Sequence, residues 1–218
     1  VPLPTPTYLT IDSSVHIHMD GNSIWASQAG LPTMDQLAPW TSFVAATGCT
    51  LTNSSIAGQT WADMAANITD VNASWNAAKT NVLICGETRN TLANGTTTFA
   101  TCKANALTYI ANVKAAHPGW IIVLMGSLPS DGVPTATFNA TMIDVDEYMR
   151  NNLAEFSAAK FIRYRDLSFY AGDGLSRQGF MSTIANCIEG TPPYVHPRGT
   201  AREQIATRMV RDVQLIPV

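Results

Sequence analysis

The chain has 218 residues, of which 46% are apolar and only 13% charged, and its formal net charge is −3. That is enough material for one domain with a sizeable core. There is no basic footprint of the kind a nucleic acid requires, and the longest apolar runs fall far short of the ~20 residues that cross a bilayer. Only four lysines are present, so solubility must rest on Thr, Ser and Asn, a style that points to an extracellular or virion-associated setting.

The first segment, Val1-Pro2-Leu3-Pro4-Thr5-Pro6, reads as an extended polyproline-type linker. Residues 1–12 are accordingly expected to be a Pro-rich extension, with room for an upstream domain before it, and residues 13–218 the main domain. No charged-then-apolar leader opens the chain. Beyond it, short apolar runs alternate with longer amphipathic ones. Strands are expected at 15–19, 50–56, 81–85, 120–125 and 161–164, and helices at 33–46, 60–78, 97–116, 135–159 and 199–213. Five strands alternating with five helices imply an α/β chain, a three-layer α/β/α sandwich around a five-stranded parallel sheet.

In such a sheet reactive groups belong at the carboxyl ends of the strands. The segments there are Asp20-Gly21-Asn22-Ser23, Gly58-Gln59-Thr60, Gly86-Glu87-Thr88-Arg89-Asn90 and Ser127-Leu128-Pro129, and a last loop carries Tyr194-Val195-His196-Pro197. Ser23 follows a strand after a glycine turn, which leaves a hydroxyl exposed at the start of a helix; the same position also suits an ordinary cap. A serine nucleophile needs a base. Among four histidines, His16 and His18 lie inside the first expected strand and His117 in a turn, which leaves His196.

These segments together resemble the SGNH/GDSL hydrolases. Asp20-Gly21-Asn22-Ser23-Ile24-Trp25-Ala26 is similar to that family's nucleophile block, with Asn where Asp is usual, and Ser55-Ile56-Ala57-Gly58-Gln59-Thr60 to its second block. Glu87-Thr88-Arg89-Asn90 resembles the third, and Tyr194-Val195-His196-Pro197-Arg198-Gly199 the last. The resemblance implies a flavodoxin-like sandwich and a serine esterase acting on carboxylic esters with short acyl groups. Ser23 and His196 would be catalytic, with the Ser23 N–H, the Gly58 N–H and the Asn90 side chain as the oxyanion hole. Implied too are a small-molecule or glycan ester, such as an O-acetylated sugar, as substrate, and no cofactor or metal. Trp25 is expected to border the pocket. The chain departs from the pattern at Thr88 and Thr91, which replace a glycine and an aspartate, and at Pro193, which stands where an aspartate usually orients the histidine. A backbone carbonyl of 192–194, or Glu189, Asp173 or Asp166, remains to fill that role.

Two other readings stand beside this one. His16, His18 and Asp20 share one face of a strand, the shape of a metal site and a feature similar to metal-dependent amidohydrolases, although the sequence favours hydrogen-bonded strand histidines. A receptor- or glycan-binding module that keeps the fold without turnover is the third. Trp25, Trp40, Trp61 and Trp75 are expected mainly in the core. Four cysteines lack C-x-x-C spacing; Cys85 is expected as a buried thiol, and one disulfide among Cys49, Cys102 and Cys187 is left open. Five Asn-x-Ser/Thr sequons, at Asn53, Asn67, Asn72, Asn94 and Asn139, matter only in a eukaryotic secretory host.

Overall fold

The chain Val15-His16-Ile17-His18-Met19-Asp20-Gly21 forms β1 and is buried along its whole length, because it has neighbours on both edges and layers on both faces. In this computed structural model the described residues are 6–27, 30–93, 97–128, 136–164, 167, 197 and 199–218. The remaining strands are β2 (Thr50–Asn53), β3 (Thr80–Gly86), β4 (Ile121–Met125) and β5 (Ala158–Ile162). All pair in parallel in the order β2-β1-β3-β4-β5. The helices among the described residues are α1 (Ala38–Thr47), α2 (Trp61–Ala66), α3 (Thr69–Ser74), α4 (Arg89–Ala93), α5 (Phe99–Ala116), α6 (Ala136–Asn151) and α7 (Gly199–Val213).

Strand alternation divides the apolar side chains into two cores. Val15, Ile17 and Met19 of β1 join Val82 and Ile84 of β3 and Val123 and Met125 of β4, covered by α1 and α7. On the other face Leu83 and Cys85 join Ile122 and Leu124, covered by α2 to α6. The expected three-layer sandwich is what forms.

The element boundaries differ where local hydrogen bonding overrides periodicity. The helix expected at 60–78 is two short ones, because Asn67 leaves helical geometry with its N–H still on the Asp63 and Met64 carbonyls. The second of them, α3, ends at its cap Trp75, and Asn81 gathers the 76–80 turn beyond it by donating to the Asn76 and Lys79 carbonyls and accepting from the Asn76 N–H. The helix expected at 33–46 opens as a 3-10 turn at Met34–Gln36 and becomes α1 only after the extended Leu37. The one expected at 135–159 ends at Asn151; turns follow to Ser157, whose positive φ of 48° starts β5 early, at 158 rather than 161. β2 ends at Asn53, although Ser54 and Ile56 still donate to the Met19 and Gly21 carbonyls, so 54–56 keep following β1. α4, only five residues long, leaves no helical period in the sequence.

Of the Pro-rich extension, residues 7–9 pair with the carboxyl terminus: Leu9 N–H donates to Ile216 O at 2.8 Å and Val218 N–H to Thr7 O at 3.1 Å. Leu9 and Ile11 pack on the α1/α7 core. Cys49, Cys85 and Cys102 are buried free thiols, so the disulfide left open above is absent among them. The sheet explains this, since Cys49 and Cys102 belong to cores on opposite faces. Cys187 lies outside the described residues.

Candidate functional site

The strand order reverses direction at β1, whose neighbours β2 and β3 carry the chain away on opposite sides, and the crevice beyond the β1 and β3 carboxyl ends is where such sheets gather ligands. Ser23 sits there. After Gly21 the chain makes one helical turn: Asn22 Oδ1 accepts the Ile24 N–H at 3.0 Å, and the Asn22 carbonyl accepts from Trp25 and Ala26. A side chain at Gly21 would meet the Trp25 indole at 2.9 Å, so only glycine lets the turn close. Ser23 is 8% exposed at the head of that turn. Trp25 is 3% exposed and packs beneath the turn in the α1/α7 core, so it supports the turn from below.

Gly58 lies on the loop after β2, exposed, at a positive φ of 84° that disfavours any side chain. Thr60 then caps α2 with a reciprocal bond pair to Asp63, which sets where the loop ends. Between them Gln59 reaches across: its side-chain amide donates to the Gly21 carbonyl and, at 3.1 Å, to Asp20 Oδ1. Its own carbonyl accepts from Asn90 Nδ2 at 3.1 Å. Asn90 N–H donates to Glu87 Oε1 at 2.5 Å, and the same oxygen accepts from Asn22 Nδ2 at 3.3 Å. The blocks holding Ser23, Gly58 and Asn90 are thus joined in one closed hydrogen-bonded ring: Asn22, Glu87, Asn90, Gln59 and back to Gly21.

Glu87 is 1% exposed, and its other oxygen takes the Thr91 N–H at 3.0 Å and the Thr91 hydroxyl at 2.5 Å. Burial raises its carboxyl above the usual range, while these donors pull the other way. Thr91, one of the departures from the family pattern, also accepts the Trp61 N–H at 2.9 Å and so ties α4 to α2.

Below the ring the even positions of β1 form a polar file. His16 Nδ1 meets Thr50 Oγ1 at 2.9 Å, His18 Nδ1 meets Thr52 Oγ1 at 2.8 Å, and His18 Nε2 meets Ser54 Oγ at 2.9 Å. Ser54 in turn bonds Asp20, which also accepts from the Tyr109 hydroxyl at 2.7 Å. Burial holds His18 down to about 4 and lifts Asp20 to about 6. The metal reading of His16, His18 and Asp20 fails on this geometry: both His18 nitrogens are engaged by hydroxyls, and among the described residues no three His, Cys, Asp or Glu side chains gather around a point.

His196 lies outside the described residues, as do Glu189, Asp173, Asp166 and residues 192–194. Its neighbour Pro197 is buried, and α7 begins two residues later. The first turn of α7 is moored beside the Ser23 turn, because the buried Arg202 donates from Nη2 to the Ala26 carbonyl at 3.2 Å. Sequence reading gives no role to Arg202, Gln59, Glu87 or Tyr109. The signal that could have found Gln59 and Tyr109 is Asp20 itself, since a carboxylate on a buried strand needs donors.

No family model and no curated protein matches the sequence. The fold does have counterparts among solved structures. A protein described as a GDSL-like lipase from Parabacteroides merdae superposes with a TM-score of 0.67 at 18% identity, over 95% of this chain and 99% of its own. A mutant acetyl-xylooligosaccharide esterase from Geobacillus Stearmophilus gives 0.65 at 16% identity, over 94% and 96%. The lipase/acylhydrolase from Enterococcus faecalis gives 0.61 at 16%, over 91% and 95%. The chain has the fold of the GDSL hydrolases over nearly its whole length.

Proposed function

We propose that this protein is a serine esterase that hydrolyses carboxylic esters with short acyl groups, O-acetyl groups on glycans among them. The observation that carries the reading is the closed ring that binds the Ser23, Gly58 and Asn90 loops together at the reversal point of a GDSL-type sheet. The mooring of α7 by Arg202 supports His196 as the base, since it brings the helix that follows His196 beside the Ser23 turn.

In this mechanism His196 takes the Ser23 hydroxyl proton as Ser23 Oγ attacks the ester carbonyl carbon. The tetrahedral oxyanion accepts from the Ser23 N–H, the Gly58 N–H and Asn90 Nδ2. Collapse breaks the acyl–oxygen bond, and the alcohol leaves with the proton from His196. Water, deprotonated by His196, then hydrolyses the acyl-enzyme and regenerates Ser23. The likeness to an acetyl-xylooligosaccharide esterase and the Thr-, Ser- and Asn-rich composition favour a glycan ester in an extracellular or virion-associated setting.

The test is hydrolysis of p-nitrophenyl acetate and butyrate by wild type, Ser23→Ala and His196→Ala, with and without a chelator. Wild type is expected to turn over, each variant to lose on the order of 10⁴-fold or more in kcat, and the chelator to have no effect. An inert wild type would favour a binding module. Activity that survives Ser23→Ala would discard the serine mechanism.

A further inference from the structure

Gln59 joins two parts of the site, the end of β1 and the Asn90 side chain. Its side chain lies against the end of β1, with donors on the Gly21 carbonyl and on Asp20, while its main-chain carbonyl receives the Asn90 side chain. Gly58, immediately before it, has a backbone strained for any other residue and open space where a side chain would stand; the turn around it is closed by only a long bond, from the Gln59 N–H to the Ile56 carbonyl at 3.4 Å. Gln59 is a side-chain tether from this stretch of loop across to the end of β1, beside the one that Ser54 makes to Asp20 and His18. Asp20, the acceptor, is in turn held from a second side by the buried Tyr109 hydroxyl on α5 and from a third by Ser54, which His18 fixes.

We infer that Gln59, anchored by the Asp20 and Tyr109 pair, is a positioning residue that aims both the Gly58 N–H and the Asn90 side chain at the reacting carbonyl. This rests on the esterase reading. A carbonyl acceptor on Asn90 Nδ2 fixes the amide plane before substrate arrives, and preorganised donors need no reorientation as charge develops. Loss of that aim lowers kcat and leaves KM nearly unchanged, because the oxyanion exists only beyond the ground state.

The experiment uses the full chain and p-nitrophenyl acetate, with Gln59→Leu, Tyr109→Phe, Asn90→Ala and the Gln59→Leu/Asn90→Ala double variant, each checked for a native unfolding midpoint. Gln59→Leu, which keeps the side-chain bulk and the carbonyl, is expected to lower kcat roughly 10- to 100-fold with KM within about twofold. Tyr109→Phe is expected to lower it several-fold. The double variant is expected to be slower than Asn90→Ala alone by less than the full Gln59→Leu factor, since Gln59 acts in part through that side chain and in part through the Gly58 N–H. Unchanged kcat in Gln59→Leu and Tyr109→Phe, or losses that multiply in the double variant, overturn the inference while wild-type turnover keeps the esterase reading intact. An inert wild type overturns the esterase reading and this inference with it. Should Gln59→Leu not fold, Tyr109→Phe decides by the same kcat criterion.

Discussion

β1 and β3 run side by side through the middle of the sheet, each seven residues long, and they solve burial in opposite ways. β3 is apolar on both faces, with Val82 and Ile84 on one side and Leu83 and Cys85 on the other; its polar residues, Thr80 and Asn81, stand at its base, where Asn81 closes a turn. β1 keeps one apolar face but turns His16, His18 and Asp20 toward the other, each at 5% exposure or less. The difference lies in the outer neighbour. β3 abuts β4, whose Ile122 and Leu124 offer only hydrocarbon, whereas β1 abuts the edge strand β2, whose Thr50 and Thr52, with Ser54 beyond, offer a hydroxyl to each imidazole and to Asp20. A buried polar group persists where a neighbour can satisfy it. The file ends at Asp20, where the ring around Ser23 begins.

Three measurements break or sharpen this contrast. The largest effect is expected from truncating β3: Ile84→Ala removes a fully buried side chain from the α1/α7 core and should cost about 3–4 kcal/mol in urea unfolding. A cost below about 1 kcal/mol would mean that β3 is not the rigid half of the pair.

Next comes the pH dependence of β1, where two slopes oppose. Asp20, raised from 3.8 to about 6, keeps a proton in the native state that the unfolded chain has released, so it removes stability as pH rises through that window. His18, lowered from 6.5 to about 4, stays neutral while the unfolded chain is protonated, so it removes stability as pH falls through its window. Each amounts to about 3 kcal/mol at ~1.4 kcal/mol per pH unit, and they cancel over most of their overlap. Glu87 adds to the slope of Asp20 and His16 to that of His18. Wild-type stability is therefore expected to be nearly flat between about pH 4 and 6, Asp20→Asn to gain stability with rising pH and His18→Gln to lose it. Identical profiles for all three proteins would sink the account of the file.

The smallest effect is expected at its outer rim. Thr52 links His18 and, at 3.4 Å, His16, but Thr52 is exposed and water can replace its hydroxyl. Thr52→Val should cost less than about 1 kcal/mol. A loss of 2 kcal/mol or more would show the hydroxyls to be as sealed from water as the histidines.

The alternation of apolar runs fixed the layers, the parallel sheet and all five strands to within a few residues, because burial on two faces leaves a periodic mark along the chain. The blocks around Ser23, Gly58 and Asn90 were legible for a related reason: glycines beside polar residues after a strand mark turns at the sheet's carboxyl edge. Helix ends were less legible. The non-helical backbone of Asn67, the side-chain bonds of Asn81 and, at the start of β5, the left-handed Ser157 set the element ends, and none of these carries a period. Fate within the core was also decided elsewhere: the sequence favours hydrogen-bonded strand histidines over metal ligands at His16 and His18 but names no partner for them, and the partners are the hydroxyls that β2 places beside each. The same holds for the ring. Nothing in the sequence connects Gln59 to Asp20 or Glu87 to Asn22, which lie 39 and 65 residues apart. Sequence alone determined which groups stand at the strand ends, since local pattern places them there; which of them touch depended on strand order, because that alone brings β1, the loop after β2 and the end of β3 to one point.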